Sequence, residues 1–463
     1  MPDCGEFHEQ FLDAVKEDNN EGAKMMLQCP IAHINHADAD GKTALWVASK
    51  NGNADIVMLL FKQSQIDINQ GDTNGATPLH IAADTGQDEI VKLLQGHSQM
   101  TVNQGDNTGR SALIMASAKG RSDTARLLLD NPQIDVNHED EVGRTALIHA
   151  SLGGHTDTVQ LILDRPQTDV NHGDQNGQTG LFVASANGHS DTAKALLDHD
   201  QIDINQGDIN GITPFTKASS NGQMETMNLL LGYSQIDVIH DDKDQRTALW
   251  WASHYRQSDA VKLLLEQSQV DVNKADKDKV TALIQASKHG FSDIVELLLS
   301  HDSIQVNQAD NAGNTALLWA SYYGFRSSAV VALLLRHSGI QVDKANSKGQ
   351  TPLYAASRAN SNHPAIRMLL ASGRVNVNRR AYGSVTPLIY ACKNNALTAA
   401  TLLVQQRGID LCHSSWLYGG AGSAACIANK SKWNGIYNKL LYPRGARCKC
   451  AFLDLACEAG KKC

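Results

Sequence analysis

Polar and apolar positions along this chain recur with a long period. Thr43, Thr77, Ser111, Thr145, Thr179, Thr213, Thr247, Thr281 and Thr315 follow one another every 34 residues, and Thr351 and Thr386 continue the series after 36 and 35. Counting from each hydroxyl residue, Leu or Phe at +2, Ala at +5, Ser, Ala or Cys at +6 and usually Gly at +9 lie three and four apart. That spacing is one face of a short helix whose small residues let a neighbour approach closely. The hydroxyl suits the N-cap, and Pro78, Pro214, Pro352 and Pro387 stand at the next position, where a missing amide hydrogen costs nothing. A glycine such as Gly52 or Gly86 then ends the helix in the left-handed conformation.

A second helix follows and ends in leucines, as in Leu127-Leu128-Leu129 and Leu263-Leu264-Leu265. After it comes a short β-prone connector such as Ile134-Asp135-Val136-Asn137. A turn closes the unit, with Asp five before and Gly two before the next hydroxyl residue. Asp folds its side chain onto nearby amides and Gly supplies a positive φ. Gln245, Lys279 and Ser384 stand where eight of the eleven turns carry that Gly, so these turns are expected to be looser or differently shaped. A fixed period sustained over most of a chain means a stacked array, in which each unit buries its apolar face only against its neighbours.

Thr77-Pro78-Leu79-His80-Ile81-Ala82 carries a known signature in full, and the other units keep its frame with Trp, Ile, Phe, Thr, Leu or Tyr in place of His. On these residues the chain resembles the ankyrin-repeat family, with its T-P-L-H-x-A motif and 33-residue period. The resemblance implies an all-α repeat solenoid of stacked helix-turn-helix pairs with β-hairpin fingers. It divides the chain into an N-terminal capping repeat at 5–38, eleven repeats at 39–415, a degenerate capping repeat at 416–442 and a Cys-rich tail at 443–463. Within the first cap, Ala14 and Met25-Met26-Leu27 fall in core registers. The resemblance further implies that His80 bonds the backbone of a neighbouring turn, with His149 read in the same way. It also implies that connector asparagines such as Asn137, Asn171, Asn273 and Asn307, each with Leu eight residues earlier, are substrates for hydroxylation.

Composition narrows the function. Lys and Arg number 41 against 49 Asp and Glu, a net charge of −8, which disfavours a nucleic-acid coat. No apolar run approaches the ~20 residues that span a bilayer. Nine cysteines, five of them beyond residue 420, do not form a disulfide framework spread along the chain and point to a reducing compartment, the cytoplasm with the nucleus as alternative. No paired carboxylates, nucleophile or phosphate loop stands apart from the repeat, so no catalytic residue and no cofactor is expected. Asp38-Ala39-Asp40-Gly41 falls short of a calcium loop because Ser49 occupies the twelfth position. Cys448, Cys450, Cys457 and Cys463 are a weak alternative metal site, since their spacing lacks the usual close pair.

The informative registers are +4, +7 and +8, which point away from the packed face and, in the resembled family, help line a groove. Here they hold Trp251 and Tyr255, then Trp319, Tyr322 and Tyr323, then Tyr390, whereas earlier units carry Lys50, Asn51, Asp84, Thr85, Lys119, Asn187 and Asn221. Aromatics at a groove anchor interfaces, so these six residues are the expected partner-binding patch, continuous along the stack. The competing reading is that Trp251 and Trp319 only fill gaps between helix pairs. The chain is read as a monomeric protein-binding scaffold or adaptor using fingers and groove. The alternative is a regulatory or enzyme-associated subunit whose activity depends on metal or thiols in the tail. Deleting residues 443–463, or adding a chelator to the whole protein, should leave the melting temperature within about two degrees, because few core contacts leave. A larger drop in a thermal melt would place a structural site there.

Overall fold

A computed structural model describes residues 4–27, 34–324, 326–394 and 396–410. The expected C-terminal capping repeat, 416–442, and the Cys-rich tail, 443–463, with its four cysteines, lie outside these residues. Among the described residues 24 α-helices follow one another, most of them eight residues long. The chain forms two compact units, Met1–Ala218 with Gln223–Asp237 and Ser219–Gly222 with Val238–Cys463. Within each unit, first helices pack on first helices and second helices on second helices of successive repeats.

The repeat beginning at Thr43 shows why these residues form these elements. Thr43 Oγ accepts from the amide of Trp46 at 3.2 Å and caps the helix Ala44–Asn51. Gly52, at φ 78°, ends it and the second helix runs Ala54–Phe61. Leu45, Ala48, Ile56, Val57 and Leu60 are buried between the pair and its neighbours. In the second unit Leu249, Ala252, Val261 and Leu264 take the same registers. Each buried Leu, Ile or Val among them stabilises the stack by roughly 1.5–3 kcal/mol.

The turns follow one rule. Asp72 Oδ1 accepts from the amides of Asn74 at 2.9 Å and Ala76 at 3.0 Å, and Asp38, Asp106, Asp140, Asp174, Asp208, Asp242, Asp276 and Asp310 repeat the arrangement. Each finger is a tight turn with at most one antiparallel bridge, such as Ala37 with Thr43 or Ala309 with Thr315, rather than a ladder of strands. Within each unit successive fingers are stitched together by a backbone bond, Thr73 to Asp40 at 2.9 Å and Lys277 to Asp244 at 3.0 Å among them.

The expectation of looser turns at Gln245 and Lys279 is wrong. Both adopt the left-handed conformation of the glycines they replace, at φ 63° and 59°, and keep the same turn hydrogen bond. The Asp and the finger-to-finger bond hold the backbone against the Cβ penalty. At Ser384 the turn is indeed different, because Ala381 stands where Asp would and a short 3₁₀ segment, Tyr382–Ser384, replaces it. In the N-terminal cap, Ala14 is buried as expected, but Met25 is exposed and Met26 and Leu27 only half-buried. Ala23 faces the core instead, and Phe11, Leu12 and Val15 pack beside it.

On the side of the connectors, asparagines bind successive repeats together. Asn137 donates to the carbonyl of Gln167 at 2.7 Å and accepts from the amide of Asp169 at 2.9 Å. Asn35, Asn69, Asn103, Asn171 and Asn205 repeat this in the first unit, and Asn273, Asn307 and Asn378 in the second. Asp343 stands in the same register and accepts from Asn376 at 2.6 Å, but a carboxylate has no hydrogen to donate and its Oδ1 is buried without a partner. Asp343→Asn supplies the missing donor and should stabilise by about 1 kcal/mol. Gln245→Gly removes the left-handed penalty and should also gain about 1 kcal/mol. Urea unfolding measures both, and a loss of stability in either variant would contradict the account of its site.

Candidate interaction surface

The +3 position of each first helix faces the next repeat. His80 Nε2 meets the carbonyl of Arg110 at 2.8 Å and its Nδ1 lies 2.7 Å from Thr77 Oγ, so the signature histidine is a structural strut. Burial pushes its pKa down. Trp46 and Trp250 do the same work with indole N–H groups, donating to the carbonyls of Ala76 at 3.0 Å and Val280 at 3.2 Å. His149, one position later, differs from the reading given to it: it bonds Asp140 of its own turn at 2.8 Å rather than neighbouring backbone.

That +4 position is where the candidate surface begins. Turn aspartates spend Oδ1 on the backbone and keep Oδ2 for a side chain. Trp251 Nε1 donates to Asp242 Oδ2 at 3.1 Å, and Trp319 Nε1 donates to Asp310 Oδ2 at 2.8 Å. Each indole, fixed at one edge, carries a tyrosine from the next helical turn on its face. Tyr255 stacks on Trp251 with centroids 5.8 Å apart and planes at 9°, and Tyr323 on Trp319 at 6.1 Å and 14°. Tyr255 and Tyr323 are 51% and 39% exposed, so in both places a committed tryptophan holds an uncommitted ring towards solvent. The tryptophans are thus committed to their turns, and the tyrosines are left exposed.

The six predicted residues divide into two clusters. Trp319, Tyr322, Tyr323 and Tyr390 line one cavity of about 310 Å³, together with Tyr354, Asn346, Lys348 and Gln350. Trp251 and Tyr255 lie outside it, in a cluster with Trp250, His254 and Arg246, whose guanidinium sits 4.4 Å from the Trp251 ring centre. The intervening repeat joins the two. Its buried Gln285 amide lies between His254 Nδ1 and His289 Nε2, and Lys288 reaches 5.3 Å from the Trp319 ring centre. An aromatic stripe, exposed at Tyr255 and Tyr323, is thus interleaved with imidazoles and cations that the sequence alone did not single out, although His254, Lys288, His289 and Arg358 occupy the same +7 and +8 registers. Tyr354 was missed for another reason. It stands at +3, assigned to packing, yet stacks on Tyr390 at 4.3 Å because the two positions face each other across adjacent first helices. The link between the helices Ala316–Tyr323 and Ser328–Arg336 is longer than that between Ala44–Asn51 and Ala54–Phe61. Just before the second helix of the next repeat, His363–Ala371, Asn362 donates to the carbonyl of Tyr322 at 3.1 Å.

A family model described as ankyrin repeats (3 copies) matches in overlapping stretches, at residues 11–106, 67–140, 133–208, 201–276, 268–346 and 323–415. The chain belongs to the ankyrin-repeat family. Ankyrin repeats are in general protein–protein interaction modules, typically without enzymatic activity of their own. No curated protein matches this ankyrin-repeat sequence at significant similarity. No helix among its described residues is long and apolar enough to cross a membrane.

The imidazole pair gives the stripe a pH dependence. Burial depresses the pKa of His254, aided by His289, Arg246 and Lys288, and burial and Lys288 depress that of His289. The folded state therefore binds these protons less tightly than the unfolded chain, so their contribution is complete above about pH 6.5 and is lost as pH falls through the folded values. A His254→Asn, His289→Asn variant should show a shallower loss of stability than the native chain between about pH 7 and about pH 5. Urea midpoints across that range are the measurement, and identical slopes would mean the pair is not linked to folding.

Proposed function

We propose that this ankyrin array is a protein-binding scaffold or adaptor, acting as a monomer, and that its partner docks on the aromatic stripe of the second unit. In the same reading residues 5–38 and 416–442 cap eleven working repeats at 39–415. The observation that carries the proposal is the repeated Asp–Trp–Tyr arrangement, Asp242–Trp251–Tyr255 and Asp310–Trp319–Tyr323. Keeping a tyrosine face exposed beside a cavity has no packing benefit, whereas a preorganised ring loses little entropy when a partner covers it. The finger tips support a wider footprint. Around the constant turn Asp they vary in size and charge, as at Thr73 and Asn74, Glu141 and Val142, Ile209 and Asn210, and Lys243 and Asp244. Variable tips on a rigid frame suit recognition.

The full chain used as bait in an affinity purification yields the partner, and calorimetry then locates the site. Tyr323→Ala and Trp319→Ala should each weaken binding by about 2 kcal/mol or more, and Thr73→Ala by well under about 1 kcal/mol, as at interface edges. Melting curves establish that each variant is folded. If both aromatic variants bind like the native chain while Thr73→Ala abolishes binding, recognition lies on the N-terminal fingers and the stripe only packs.

A further inference from the structure

The charges around the two aromatic clusters are arranged differently. Beside Trp251 two guanidinium groups are neutralised: Arg246 pairs with Asp242 at 2.8 Å and Asp244 at 2.9 Å, and Arg256 with Asp293 at 3.2 Å. Beside the cavity between Trp319 and Tyr390 the cations have no such partners. Lys348 lines it, Lys288 sits against Trp319, and the Arg358 guanidinium lies 4.6 Å from the Tyr322 ring centre. None of the three makes an ion pair among the described residues, and no carboxylate lines the cavity there.

One substitution within the repeat pattern accounts for the missing carboxylate. The turn position that is Asp in nine units is Asn346 here. Asn346 builds the turn as Asp does, accepting from the amides of Lys348 at 3.0 Å and Gln350 at 2.9 Å. Its amide nitrogen then donates to Asn314 at 2.8 Å and Gln350 at 2.9 Å, so the polar floor is already satisfied within itself. What remains for a ligand is a set of ring faces and three cations. The nearest carboxylate, Asp310, is used up by two turn amides, Asn314 and Trp319.

We infer that this cavity seats an acidic segment of the partner protein. An aromatic or long aliphatic side chain enters between Trp319, Tyr323 and Tyr390, and flanking Asp or Glu residues meet Lys288, Lys348 and Arg358. The volume, about 310 Å³, is at the small end of ligand sites and fits one large side chain. About one cation per repeat is too sparse to follow the phosphates of a nucleic-acid strand, which carry a charge at every nucleotide. The inference rests on the protein-binding reading of the same stripe and adds the chemistry of the partner.

Random peptides of about sixteen residues, displayed on phage and selected on the intact chain, supply the probe. Selected peptides should be enriched in Asp and Glu next to Trp, Phe, Tyr or Leu. Asn346→Asp keeps the acceptor for the two turn amides and brings a carboxylate into the cavity, at the loss of the donor to Asn314 and Gln350, and a melting curve establishes that the variant is folded. In calorimetry it should weaken the selected peptides about tenfold or more, as should Lys348→Gln combined with Arg358→Gln, and added salt should weaken them likewise. Tyr323→Ala should weaken them too. Peptides without acidic enrichment whose binding still depends on Tyr323 would overturn the acidic segment and leave the protein-binding reading in place. Peptides indifferent to Tyr323→Ala and Asn346→Asp alike would overturn both. A selection that yields nothing, while an oligouridine of about eight nucleotides quenches the tryptophan fluorescence, would transfer the cavity to single-stranded nucleic acid and overturn both as well.

Discussion

A carboxylate held by two backbone amides is the interaction on which this array depends. In nine turns Asp Oδ1 gathers the amides two and four residues ahead, which fixes the finger and delivers the next hydroxyl residue to its capping position. Without that cap the first helix, about two turns long, falls well below the length at which a helix is stable alone. The finger-to-finger bonds and the connector asparagines then copy the geometry of one repeat onto the next. Stability accumulates between neighbours, as expected of a stack in which no module buries its apolar face alone.

The same aspartate prepares the surface. Having two oxygens, it commits one to the backbone and leaves one, and in the second unit the free oxygen takes an indole N–H from Trp251 or Trp319. A tryptophan tethered in this way cannot turn into the core, and the tyrosine one helical turn later has its face to rest on. Fold and candidate site therefore share a residue, and Asn346 shows how the surface can vary on a kept turn: it accepts from the same two amides, removes the charge and donates to Asn314 and Gln350 instead.

Local exceptions show how strongly the stack constrains each unit. Gln245 and Lys279 adopt a backbone conformation that suits glycine, because the bonds to the turn Asp and to a neighbouring finger outweigh a penalty of about 1 kcal/mol. Asp343 keeps one hydrogen bond of the asparagine ladder and forfeits the other. Such positions are where the array is weakest, and they are legible only once neighbouring repeats are seen together.

The helices, their caps and their packed faces were readable from the sequence, because hydroxyl, Ala, Gly and Leu positions report local physics within a single unit. So were Trp319, Tyr323 and Tyr390, whose register alone places them off the packed face. The Met25 register failed because the helix Asn20–Leu27 turns Ala23 to the core instead and leaves Met25 exposed. Tyr354, Lys288 and Arg358 escaped notice because their roles arise from side chains some 34 residues away, or in a unit of altered length, with no local pattern to announce them. The sequence by itself determined the repeat, the family and the register that leaves Tyr255 and Tyr323 exposed. Only the tertiary structure decided that these aromatics fall into two clusters, that cations at one of them lack carboxylates, and that turn aspartates hold the rings in place, since each depends on distances between repeats that no single period encodes.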